Sequence, residues 1–143
     1  MKRIIVGIDG SASARAALDW ALDEARHHGA EVRAVHVWDV PPLGSSAFDR
    51  LLGDPDALEA EARRELDLVV DAADTDGLAS PVQRSLRCGR PAEWVLREAK
   101  AGDLIVLGSR GLGGFDPPPL GSVSRQVAGH APCPVVVVPV PSA

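Results

Sequence analysis

Short apolar runs alternate regularly with longer segments of helical period, and this alternation constrains the fold of the chain more than any other feature. Residues 4–8 (Ile-Ile-Val-Gly-Ile) form a continuous apolar run, as expected of a strand buried on both faces. Ser11 or Ser13 can cap a following helix in which Ala17, Leu18, Ala21, Leu22 and Ala25 share one face, and Gly29 ends it. Residues 31–38 read as a second strand. Residues 39–55, with Pro41-Pro42, Gly44-Ser45-Ser46 and Gly53, read as a long connection of the kind that often lies over a site. Asp54 then caps a second helix with Pro55 in its first turn, and Leu58, Ala62, Leu66, Val69, Val70 and Ala73 form its apolar stripe. Residues 81–87 alternate weakly as a third strand. A third helix over 91–101 turns Trp94, Val95 and Ala99 inward, with Gly102 after it. Residues 104–107 are a fourth strand running into a Gly-rich segment, 108–121. Residues 122–130 form a short last helix and 135–138 a fifth strand.

Five strands with four intervening helices and no internal repeat predict an α/β fold, a parallel sheet with helices on both faces, because parallel strands need helical crossovers. The chain has 143 residues; at roughly 150 residues per domain, 1–143 is expected to be one domain. A chain of that length buries about two-thirds of its extended surface and folds without metals or disulfides. Net charge is −5, from 20 acidic and 15 basic residues, and the arginines are scattered. That balance lacks the electrostatic footprint of a general nucleic-acid binder. The apolar run at the N-terminus is too short for a signal peptide and ends at Asp9, and none approaches the ~18 residues of a membrane span. Cys88 and Cys133 are too few for a disulfide scaffold. The expectation is a cytoplasmic protein with reduced thiols, engaging neither nucleic acid nor membrane.

Open parallel sheets bind ligands beyond the carboxyl ends of their strands, where strand order reverses. Two segments of unusual composition leave such ends: Gly7-Ile8-Asp9-Gly10-Ser11 after the first strand and Gly108-Ser109-Arg110-Gly111-Leu112-Gly113-Gly114 after the fourth. Glycines let main chain approach a ligand, and successive N–H groups form anion-binding nests. Gly121-Ser122-Val123-Ser124 opens a helix whose first N–H groups lack intrahelical partners and can bond a phosphate, with Arg110 and Arg125 as nearby charges. The competing reading is that these glycines only permit a turn and Ser122 only caps a helix.

Several enzyme classes find no support. The G-x-G-x-x-G fingerprint, the P-loop and the G-x-S-x-G nucleophile elbow are all absent. Asp9 has no second carboxylate nearby for acid–base work, and a hydrogen bond to a hydroxylated ligand such as ribose suits it better. His27, His28, His36 and His130 lack metal-ligand spacing; His36 reads as a satisfied core or crevice residue. Neither cysteine has a local activator of its thiolate, so both read as structural. With no general base and no P-loop lysine, the chain is expected to be a binding protein, or at most a slow ATPase.

Gly108-x-x-Gly111, nine residues, then Gly121-Ser122 resembles the G-x2-G-x9-G-[ST] signature of ATP-binding universal stress proteins. The opening Ile5-Val6-Gly7-Ile8-Asp9-Gly10-Ser11, the Gly89-x-Pro91 element and the closing Cys133-Pro134-Val135-Val136-Val137-Val138 are similar to that family as well. The resemblance implies a Rossmann-like three-layer sandwich whose five-stranded parallel sheet has the order 3-2-1-4-5, bringing strands one and four together at the reversal. It further implies that Gly7, Ile8 and Asp9 line the adenosine side, with Asp9 on ribose, and that Val37 meets adenine. Leu107, Gly108, Arg110 and Gly111 would form the wall and turn beside ribose and phosphates, and Gly121, Ser122, Val123 and Ser124 the triphosphate cradle. A magnesium ion would sit chiefly on phosphate oxygens, since no protein carboxylate is at hand.

The function so implied is that of an ATP-binding stress-response regulator. Pro117-Pro118-Pro119 depart from the family pattern, replacing aliphatic residues with three that fix φ and lack an N–H donor. With the 39–55 connection they motivate an alternative, a nucleotide-independent dimeric interaction protein on the same fold. In either case Val135, Val136, Val137 and Val138 would form an adhesive sheet edge, which the family covers by pairing two fifth strands in a C2 homodimer.

Overall fold

The computed structural model describes residues 1–39, 41–109 and 120–139. Its elements are β1 (Arg3–Ile8), α1 (Ala12–His28), β2 (Glu31–Trp38), α2 (Ser46–Gly53), α3 (Pro55–Ala72), β3 (Gln83–Cys88), α4 (Pro91–Glu98), β4 (Leu104–Gly108), α5 (Ser122–His130) and β5 (Val135–Val138). All strand pairs are parallel and the sheet order is β3-β2-β1-β4-β5, as expected.

Strand alternation sends successive side chains to opposite faces of the sheet. Ile4, Val6 and Ile8 of β1 pack with Leu18 and Leu22 of α1 and Leu66 and Val70 of α3. Ile5, with Val35, Ile105 and Leu107, packs with Val95 of α4 and Val127 of α5. The central strands are therefore covered on both faces, which is why their sequences read as continuous apolar runs.

Helix ends follow local chemistry. The Ser11 hydroxyl accepts the Ala14 N–H at 3.2 Å, and Gly29 closes α1 in the left-handed conformation, φ 65°. Asp54 accepts the Ala57 N–H at 3.2 Å ahead of Pro55. Three readings are corrected. The 39–55 connection contains α2, capped by Ser45 with a 3.0 Å bond from the Phe48 N–H. It buries no residue, so no core stripe marks it in the sequence. Helix α4 stops at Glu98 rather than 101. Trp94 does not turn into the core: its ring lies against the Arg87 and Arg97 guanidinium groups at 5.0 and 5.2 Å, and its Nε1–H donates to the Cys88 carbonyl at 2.9 Å.

At the amino end of the sheet, opposite the strand ends that concern function, Arg3 ties three elements together. Its Nη2 donates to Asp103 Oδ2 at 2.7 Å and to the Glu98 carbonyl at 3.1 Å, and its Nε to Asp103 Oδ1 at 3.3 Å. Burial alone would raise the Asp103 carboxyl, but the Arg3 bonds, the Lys100 N–H and both positive charges outweigh it and hold the group below its ordinary 3.8. A depressed folded value stabilises the fold above the ordinary range, and that contribution disappears as pH falls through the depressed value. Arg3→Met is expected to cost about 2 kcal/mol at neutral pH. In urea melts the gap from the parent should close on acidification below about pH 4; a gap constant down to pH 2 would contradict the assignment.

Candidate functional site

The sheet order reverses between β1 and β4, so their carboxyl ends open a crevice between helices on opposite faces. β1 continues into α1 on one face, β4 into α5 on the other. Register pairs Gly7 with Val35 and Ile8 with His36, which brings Val37 alongside Asp9. On the other flank Val6 pairs with Val106, which brings Leu107 and Gly108 beside Gly7 and Ile8.

At the β1 end, Gly10 takes φ 81° and turns the chain into α1. Asp9 accepts from the Ser11 N–H at 2.9 Å and from the Ser11 hydroxyl at 2.5 Å, both through Oδ1. The carboxylate is thus oriented by the same serine that caps α1, at the mouth of the crevice and partly exposed. Ile8 is buried, and its carbonyl lies 2.8 Å from Nδ1 of His36. The Nε2 of that ring is 3.0 Å from Glu65 Oε2, so His36 is a satisfied residue beneath the site.

At the β4 end the close approach at Gly108 is to protein. A Cβ there would stand 2.6 Å from the Ser13 carbonyl carbon and 2.8 Å from the Ala14 nitrogen, and would strike the Ser13 hydroxyl. Gly108 thus lets the first turn of α1 rest on the end of β4. At Gly7 a Cβ would meet Leu107 Cδ2 at 2.8 Å, so this glycine makes room for the buried Leu107. Arg110 and Gly111, together with Pro117, Pro118 and Pro119, lie outside the described residues.

Gly121 is the N-cap of α5; its N–H donates to the Ser109 carbonyl at 2.7 Å and its carbonyl accepts from the Arg125 N–H at 3.1 Å. Among the described residues no side chain caps the start of this helix. The N–H groups of Ser122, Val123 and Ser124 precede the first intrahelical bond and find no acceptor among the described residues. Ser122 is exposed and Val123 half-buried. Ser124 is buried, and its hydroxyl donates to the Gly108 carbonyl at 2.7 Å, binding α5 to β4. Removing that hydroxyl by Ser124→Ala would strand a part-buried carbonyl and is expected to cost about 1–2 kcal/mol in chemical denaturation. The register and the Ser124–Gly108 bond therefore bring Asp9, Val37, Gly108 and the positive first turn of α5 to the same end of the sheet.

Other groups stand apart. Cys88 and Cys133 are free thiols pushed above their ordinary value, Cys88 by burial and then Asp39 and Glu59, Cys133 by burial and then Asp103 against a lowering bond from the Ile105 N–H, so neither is an activated nucleophile. Among the described residues no three His, Cys, Asp or Glu side chains could hold a metal ion, and no helix is long and apolar enough to cross a membrane. The sequence reading overlooked Glu98, a carboxylate on the buried face of α4 that bonds Ser85 and Arg87. Its helical spacing from Ala92 and Val95 was the available signal.

Comparison with known proteins bears on this geometry. The profile of the Universal stress protein family matches residues 1–139. A universal stress protein of Mycolicibacterium smegmatis is 37% identical over 139 residues, 94% of this chain and 45% of its own length. The chain thus spans about half the length of that relative and of several mycobacterial ones. A universal stress protein of Thermus aquaticus, 37% identical over 141 residues, is matched over 98% of its length. Among solved structures, universal stress protein UspA from Lactobacillus plantarum superposes with a TM-score of 0.70 at 27% identity, covering 96% of this chain and 97% of its own. Two others share the fold at lower identity. One is an Arabidopsis thaliana family protein with AMP bound (TM-score 0.62, 18% identity, 99% and 94% coverage). The other is a universal stress protein in complex with cAMP (TM-score 0.59, 23% identity, 98% coverage of both chains). With a profile match over nearly its whole length and the doubly wound sheet that match implies, this chain belongs to the universal stress protein family.

Proposed function

We propose that the protein binds an adenine nucleotide, ATP with magnesium first among them, and acts as a cytoplasmic stress-response regulator gated by that nucleotide. The observation that carries this reading is the first turn of α5, where the N–H groups of Ser122, Val123 and Ser124 have no acceptor among the described residues, beside the end of β4 that neighbours the Asp9 turn. The AMP and cAMP held by relatives of the same fold support it. In this reading Gly7, Ile8 and Asp9 take the adenosine side, Asp9 offering Oδ2 to a ribose hydroxyl, and Val37 meets the base. Leu107, Gly108, Arg110 and Gly111 flank ribose and phosphates, and the main chain of Gly121, Ser122, Val123 and Ser124 cradles the phosphate tail. The donors of that cradle are N–H groups, which suit anionic oxygen and not a cation, so magnesium would be carried on the phosphates. Calorimetric titration of nucleotide-stripped protein with ATP and Mg²⁺ tests the reading. A saturable isotherm near one site per chain is expected, and no heat at millimolar ATP at two temperatures would overturn it.

One observation favours a second reading, a nucleotide-independent interaction protein. Gly108 and Ser124 have structural tasks, helix contact and strand attachment, that would retain part of the glycine–serine signature without any ligand.

Either protein is proposed to be a homodimer. Among the described residues β5 pairs only with β4, and its four valines stay half-buried in the protomer. Antiparallel pairing of two β5 edges would cover them. Val137→Lys is expected to halve the mass measured by light scattering behind gel filtration; an unchanged mass would remove β5 from the interface.

A further inference from the structure

The opposite edge of the sheet carries a different surface. Among the described residues β3 pairs only with β2. The Gly89 N–H bonds the Trp38 carbonyl at 2.9 Å, while the Cys88 carbonyl points away and accepts from Trp94. Alternation along the strand then directs the main-chain N–H and C=O of Arg84 and Leu86, and the N–H of Cys88, out of the sheet. These groups have no partner among the described residues. A groove of about 310 Å³ runs along this edge, lined by Arg33, Arg63, Arg84 and Arg87 with Ser85 and Leu86.

The charge of the groove is cancelled only in part. Arg84 is held by Asp67 at 2.7 Å and Asp71 at 2.6 Å. Arg33 and Arg87, however, share one carboxylate, Glu98, which is 8% exposed. Its Oε1 takes the Ser85 hydroxyl at 2.6 Å and the Arg87 Nε–H at 3.1 Å. Its Oε2 is buried with no hydrogen bond and meets Arg33 Nη1 only at 3.9 Å. Arg63, exposed on α3, has no ion pair among the described residues. A chain of net charge −5 thus sets four arginines against three carboxylates along an open strand edge, with Arg63 free of any ion pair among the described residues.

We propose that this edge binds an extended acidic segment of a partner protein by strand addition. The partner's main chain would satisfy the outward groups of Arg84, Leu86 and Cys88, and its carboxylates would meet Arg63 on the α3 side and Arg33 and Arg87 on the α4 side. A nucleic acid has charge to offer but no N–H and C=O ladder to pair with the edge. The surface lies two strands away from β1 and stands apart from the nucleotide reading.

The test is fluorescence anisotropy at low salt with a fluorescein-labelled peptide of Glu-Glu-Val repeats, which puts carboxylates on both faces of an added strand. Saturable binding is expected, with backbone amide shifts at Arg84 and Leu86 in NMR spectra. Methylating alternate peptide nitrogens should weaken it about tenfold or more, because charge is kept while the ladder is lost. Arg63→Glu should also weaken it about tenfold. Arg87→Gln, which leaves Glu98 paired with Ser85, gives a second and smaller loss. An N-methylated peptide binding as well as the parent would reduce the surface to non-specific electrostatics and overturn the proposal. Displacement by a single-stranded oligonucleotide of equal charge would assign it to nucleic acid. No binding at millimolar peptide would mean the arginines only guard the edge against aggregation.

Discussion

Gly108→Ala is expected to destabilise the protein by about 3 kcal/mol, with a melting temperature roughly 6–12 °C lower. The added methyl carbon would overlap two main-chain atoms of α1, at 2.6 and 2.8 Å, as well as the Ser13 hydroxyl. Main-chain atoms in the first turn of a helix cannot swing aside as a side chain can. Relief would require α1 to lift from β4, and α1 carries Leu18 and Leu22 into the larger core. Ser13→Ala in the same background removes only the hydroxyl and leaves both main-chain overlaps, so it should restore little. A double variant with parental stability would show that the contact is with the side chain alone. An undiminished melting temperature for Gly108→Ala itself would show that α1 is free to shift, and would return Gly108 to the ligand.

The contrast between motif and architecture explains what was legible in the sequence. The buried faces of β1, β4, α1 and α3 could be read directly, since burial on two faces or one leaves a run or a stripe; the expected residues are buried apart from Gly7, Leu58 and Ala73, which are half-buried. The strand order did not come from periodicity; it came with the family resemblance, because apolar spacing says nothing about which strands are neighbours. Helix α2 was hidden because it lies on the surface with no residue buried. Trp94 misled because an aromatic at helical spacing looks like core, while Arg87 from β3 and Arg97 one turn on clamp its ring outside. The candidate site can be read at the level of segments, both strand ends and the α5 turn, but not at the level of tasks. Nothing in Gly-x-x-Gly or Gly-Ser-x-Ser distinguishes a glycine that meets a helix from one that meets a phosphate. Nor does it reveal that the Ser124 hydroxyl is committed to Gly108. Those distinctions depend on contacts between residues far apart in the chain.

Gly121→Val separates the two kinds of glycine, and its expected effect falls on the ligand. The residue sits at φ −66° and ψ 164°, a conformation open to any L-residue. Its two hydrogen bonds, to the Ser109 carbonyl and from the Arg125 N–H, use main-chain atoms that the substitution keeps. Stability should therefore change by less than about 1 kcal/mol. A branched side chain at the N-cap, however, would stand beside the N–H groups of Ser122, Val123 and Ser124, where the phosphates are proposed to lie. Displacing a charged group from that turn forfeits its charge-assisted hydrogen bonds and the helix-end potential together. ATP affinity by calorimetry is expected to fall about 100-fold or more, which is roughly 2.7 kcal/mol. Parental stability combined with lost binding would place the phosphates at α5. Parental stability with unchanged binding would move them off this turn, and with it would go the role assigned to the Gly121-Ser122 half of the signature.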